Sequence, residues 1–115
     1  MTFGTGSLTA GNLYLLKSGG NWALADAGDP TSSTGFLAIA LGTSATTSGM
    51  LVRGYAKSTA YTGSTGDILY ASSTAGTIIT TAPSLAGNVV RVVGYQLDGT
   101  NDVIYFNPSN DWIEL

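Results

Sequence analysis

The sequence predicts an all-β fold, a single-domain barrel or sandwich of about eight to ten short strands with an extended N-terminal arm. Three observations predict it. Valine, isoleucine and aromatic residues gather in short runs, densest at Val89, Val90, Val92 and Val93, and such side chains are stiff at χ1 and pack well on a pleated surface. Clusters of Gly, Pro, Asn, Asp, Ser and Thr punctuate those runs at regular spacing. No segment carries a sustained helical period.

Residues 1–10 are Gly, Thr and Ser around the apolar Phe3 and Leu8, and read as the arm, frayed or docked on a neighbouring surface; residues 11–115 form the body. Residues 12–17 and 22–25 flank Ser18-Gly-Gly-Asn21 and make a first hairpin. Residues 26–34 are a loop, because Pro30 and short polar side chains favour turns over a ladder. Residues 36–41 have no polar face, so both sides should be buried, one of them against another subunit. Leu and Ala would also suit a short helix there, but Gly35 and Gly42 limit its length and favour a strand. Residues 49–55 follow, then a polar linker over 56–66. Residues 67–71 and 77–80 form another hairpin. The stretch from Gly87 and residues 103–106 form the most apolar hairpin, joined by a six-residue bridge, Leu97-Asp-Gly-Thr-Asn-Asp102, whose Asp-Gly tolerates positive φ. Pro108 stops that strand, and residues 111–115 are a short terminal segment.

The two halves echo each other. Gly11-Asn-Leu-Tyr14 matches Gly66-Asp-Ile-Leu-Tyr70 with one inserted residue. Each is followed by a Gly-containing turn, a short strand, a polar loop, and a glycine (Gly35, Gly87) that opens a strongly apolar strand. A weak internal duplication, residues 11–57 and 66–106, predicts a pseudo-two-fold body. The competing reading is that any two stretches of a glycine-rich meander look alike.

Composition narrows the function. Only 10% of the 115 residues are charged, against about a quarter in ordinary soluble domains, and there are 16 glycines. Such a surface repels other copies of itself weakly, which suits a packed assembly, although an ordinary Gly/Thr-rich β domain would look the same. Net charge is −3, and the scattered Lys17, Arg53, Lys57 and Arg91 do not make a nucleic-acid surface. No window approaches the roughly 20 apolar residues of a membrane-spanning helix, and the N-terminus lacks the basic and apolar regions of a secretory signal. There is no histidine and no cysteine, so the usual general base, thiolate and imidazole ligands are missing, and no enzyme, cofactor or metal site is expected. Gly63-Ser-Thr-Gly66 lacks the spacing of a nucleophile elbow and reads as a turn. Asp26 and Asp29 are too few oxygen ligands for calcium, and Asp98 and Asp102 sit in turn positions that explain them without glycosidase chemistry. Trp22, Trp112 and the tyrosines could make a sugar-stacking platform but are spread over separate strands, so core packing is the default. Arg91 interrupts the valine run, and inside an interface it would need a carboxylate or carbonyl partner.

Gly87-Asn-Val-Val-Arg-Val-Val-Gly-Tyr-Gln-Leu-Asp98 and Ile104-Tyr-Phe-Asn-Pro-Ser-Asn-Asp-Trp-Ile-Glu-Leu115 resemble a signature of small structural proteins of tailed bacteriophages. So do Trp22-Ala-Leu-Ala-Asp-Ala27, Gly35-Phe-Leu-Ala-Ile-Ala-Leu-Gly42 and Gly66-Asp-Ile-Leu-Tyr-Ala-Ser72. The pattern occurs in head proteins and in tail-fibre modules. The resemblance implies a virion protein made in the host cytoplasm. The lack of a fibrous repeat, heptads or a second domain favours a head decoration or cement protein, which would bind the major capsid protein as a homotrimer on the capsid surface. By that resemblance Phe3 and Leu8 would dock the arm on the capsid, and Leu37, Ile39, Val90 and Arg91 would form the oligomer contact. The alternative is a tail-associated module binding a host receptor or glycan, which requires an exposed aromatic patch.

Overall fold

A computed structural model describes residues 8–29, 33–44, 48–58, 61 and 63–115 of the chain. Among these residues the secondary structure is all strand. The strands are β1 (Leu13–Leu16), β2 (Trp22–Leu24), β3 (Leu37–Ala40), β4 (Met50–Leu51), β5 (Gly54–Lys57), β6 (Ile68–Ala71), β7 (Ile78–Ile79), β8 (Val89–Val90), β9 (Val92–Asp98), β10 (Val103–Phe106) and β11 (Ile113–Glu114). All pairings are antiparallel. A four-stranded sheet runs β2-β1-β3-β4, a five-stranded sheet runs β5-β10-β9-β6-β7, and β11 pairs with β8.

The order β2-β1-β3-β4 recurs as β7-β6-β9-β10, so the duplicated pattern in the sequence corresponds to a repeated strand order. In each repeat a hairpin is followed by a strand that returns to the far side of the hairpin's first strand. Gly11 and Gly66 open the two repeats with φ of 86° and 92°, a left-handed turn that glycine adopts without steric cost. The fifth strand of the larger sheet comes from the other half: β5 pairs with β10, joining Tyr55 to Tyr105 and Gly54 to Phe106.

Alternation along the strands builds the core between the sheets. Leu13, Leu15, Leu37 and Ile39 from the smaller sheet meet Leu69, Ala71, Val93, Ile104 and Phe106 from the larger, with Tyr61 closing one end. The opposite side chains of the smaller sheet, Tyr14, Trp22, Ala38, Ala40 and Met50, form a second cluster with Leu8. Burial of apolar area on both faces is the main drive for this arrangement. The strand β3 is therefore buried on both sides, as its lack of a polar face requires, and the chain itself supplies both covers.

Three boundaries differ from the sequence reading. The segment taken as a linker over residues 56–66 begins with half of β5, because Ala56 and Lys57 continue a ladder with Ile104 and Val103. The valine run is two strands: Arg91 turns inward and separates β8, which pairs with β11, from β9, which joins the larger sheet. The turn after β9 is shorter than read, residues 99–102, and its left-handed residue is Asp102 (φ 57°) rather than Asp98 or Gly99. A register shift between Val103 and Ile104 absorbs the odd residue of β9.

Candidate functional site

The outer face of the five-stranded sheet is the most distinctive surface. Period-2 alternation sends Leu69, Ile104 and Phe106 inward with their partners Gly94 and Gln96, and leaves Tyr105, Tyr95 and Ile68 on the opposite side, while a register shift beside Leu69 breaks the alternation and brings Val93 into the core. Register then aligns them. Tyr105 pairs with Tyr55 on one flank and Tyr95 on the other, and Tyr95 pairs with Ile68, so one row crosses four strands. Tyr55 is 73% exposed and Tyr95 47%. The rings of Tyr55 and Tyr105 lie 5.7 Å apart, tilted at 54°, within the range favoured by aromatic pairs. Arg53 Nε donates to the Tyr105 hydroxyl at 3.1 Å and ties the row to the loop before β5. Leu97 extends the apolar area along β9.

The terminal strand presents a second exposed apolar group. Gly87 N–H donates to the Leu115 carbonyl (2.6 Å) and Leu115 N–H to the Asn88 carbonyl (2.8 Å), fixing β11 on β8. Trp112, Ile113 and Leu115 nonetheless stay largely exposed.

Between these surfaces Arg91 is 5% exposed. Its Nε donates to the Ser109 carbonyl (2.8 Å), and Nη1 donates to the carbonyls of Ser33 (3.0 Å) and Gly35 (2.6 Å). The guanidinium lies 5.3 Å from the centre of the Trp112 ring, a cation–π contact. Burial lowers Arg91 from its ordinary pKa, because the charged form loses hydration. The role of Arg91 as a tie between the loop before β3 and the terminal segment is invisible in sequence. Its one signal was the break in the valine run.

The other residues singled out by sequence fall as follows. Leu8 is buried in the cluster outside the smaller sheet, and its N–H donates to the Thr43 carbonyl (3.0 Å), so this end of the arm docks on its own chain. Phe3 lies outside the described residues. Leu37 and Ile39 are 2% and 1% exposed and point into the core, which accounts for them without a second subunit. Val90 is half-buried opposite Ile113. Asp26 accepts from the Gly28 N–H at 2.8 Å, the turn role expected of it. Among the described residues no three acidic side chains gather as metal ligands. No described helix is long and apolar enough to cross a membrane. A small cleft of about 270 Å³ is lined by Tyr61, Ile78 and Gln96, and the Gln96 Oε1 is buried there without a partner among the described residues.

The fold and these surfaces define an all-β sandwich with two exposed apolar areas. Comparison with known families, curated proteins and solved structures finds no match.

Proposed function

We propose that the chain is a structural protein of tailed-phage particles, a decoration or cement protein that covers the outside of the head and bridges major capsid subunits. The tyrosine row on the larger sheet is the observation that supports this reading. It is exposed and lies outside the protein's own core clusters. The exposed part of each tyrosine, largest at Tyr55, can be buried against a partner while its hydroxyl still hydrogen-bonds at the rim. Such a face stabilises a shell by mass action, since it binds the assembled lattice and not the loose subunit. Self-association into trimers would present the face three times and raise avidity.

Quantitative mass spectrometry of purified particles tests the location. A copy number comparable with that of the major capsid protein supports decoration, and absence from particles refutes it. Substituting Tyr55 and Tyr95 by Ser, both exposed, should preserve the fold and abolish binding to shells.

The same exposed aromatic row favours a second reading, a tail-associated module that binds a host receptor or glycan. A handful of copies per particle, with saturable binding of host polysaccharide, would select it.

A further inference from the structure

Two of the chain's four cations, Arg53 and Arg91, line one cleft of about 330 Å³ beside the terminal segment. None of its lining residues is Asp or Glu, in a chain whose net charge is −3. Three N–H groups of Arg91 are committed to carbonyl oxygens, but among the described residues Nη2 has no acceptor. It is not a sealed, unsatisfied group either, since Gln96 Oε1 alone has that status. The buried guanidinium is thus held rigidly from behind with one end open to the cleft. Such a group takes an oxyanion readily, because its orientation is already fixed and the low-dielectric setting strengthens the contact. Arg53, exposed and held by the Tyr105 hydroxyl, adds a second cation to the lining.

The rest of the lining narrows the ligand. Trp112 and Phe36 offer aromatic walls, and the exposed Asn107 and Asn110 offer amides that both donate and accept. Aromatic walls suit the apolar face of a sugar ring and amides suit its hydroxyls, whereas a carboxylate on a peptide side chain would use neither. The volume is large enough to hold one sugar unit. We propose that this cleft binds an acidic sugar, a pyranose ring carrying a carboxylate that meets Arg91 and Arg53 while the ring packs on Trp112. The site does not depend on whether the protein sits on a phage head, on a tail or on neither.

The test is an NMR titration of the intact chain with sodium glucuronate, following the Trp112 indole N–H and the side-chain amides of Asn107 and Asn110. Glucose, N-acetylglutamate and inorganic phosphate serve as comparison probes. Saturable shifts at these groups, with glucuronate binding about tenfold tighter than glucose and Arg53→Gln weakening it about fivefold, are expected. Arg53 is exposed, so that variant should keep its fold, and unchanged shifts elsewhere in the spectrum check this. Glucose binding as well as glucuronate would remove the arginines from recognition. Equal binding of N-acetylglutamate would make it a peptide-carboxylate site, and equal binding of phosphate a general anion site; either overturns the proposal, as does the absence of any shift. Since the titration uses the isolated chain, its failure is separate from any failure of the virion assignment.

Discussion

Gly94 faces the carbonyl oxygen of Tyr105 across the β9–β10 ladder so closely that no side chain fits between them. A Cβ built on Gly94 would overlap that oxygen and lie 3.2 Å from the Phe106 Cα. The neighbours are backbone in the middle of a sheet, so they cannot step aside as a flexible side chain would.

Gly94→Ala should therefore cost about 3 kcal/mol, a fall of roughly 10–20 °C in Tm for a domain of this size. Gly87 is the control. It has positive φ but nothing within 4 Å of its missing Cβ, so Gly87→Ala should cost only about 1 kcal/mol. Equal losses at the two positions, measured by thermal unfolding, would remove the close approach as the cause.

Arg91→Met would leave three carbonyl oxygens without their donor, two of them in the loop before β3. The expected loss is about 3–5 kcal/mol in urea unfolding, with the terminal segment loosened because Trp112 loses the cation beneath it. Arg91→Lys keeps the charge but cannot span the three acceptors, and should recover only part of the loss. A loss under about 1 kcal/mol for the Met variant would mean that water satisfies those carbonyls.

Tyr61 is buried, and its hydroxyl donates to the Gly11 carbonyl at 2.9 Å. Burial pushes its pKa up from 10.0 to about 12. The fold favours the neutral phenol, so this contribution to stability is complete below pH 10 and is lost as pH rises towards about 12. Ultraviolet difference spectra of the native protein against Tyr61→Phe should show this phenol still protonated at pH 11. Ionisation near pH 10 without unfolding would contradict the burial.

Asp98 works in the opposite direction. Its carboxylate accepts from the Asn101 side chain (2.7 Å) and from the backbone N–H groups of Asn101 and Thr100, and these bonds hold its pKa below the ordinary 3.8. The turn's gain from the charged form is present above the unfolded pKa and lost as pH falls through the lower folded value. The amide signals of Thr100 and Asn101 should titrate together with a midpoint below 3.8, and Asp98→Asn should abolish that step. A midpoint at or above the ordinary value would show that the turn does not hold the ionised carboxylate.

Much of the fold was legible because it rests on local patterns. Residues 12–17, 67–71 and 103–106 read as strands because they are short apolar runs bounded by turn residues, and the Gly11 and Gly66 signals mark the repeats. Pairings between distant segments left weaker traces. Nothing in Gly54 to Lys57 announces that they complete the sheet of the other half, since half-buried alternation with one tyrosine also suits a linker. The tyrosine row was hidden for a related reason. Tyr95 and Tyr105 share a hairpin, but Tyr55 lies far from both in sequence and the three align only through register, so they read as separate core residues. Arg91 was noticed as an interruption, but its carbonyl acceptors belong to loops whose positions no local pattern gives.

The pairing of β5 with β10 also constrains how the protein is made. On the ribosome the first half emerges with its last strand lacking a neighbour, and that neighbour ends at Phe106. The terminal strand β11, which caps β8, emerges later still. The two repeats share one core as well as this strand pairing, so the first gains its full set of contacts only once the second has been made.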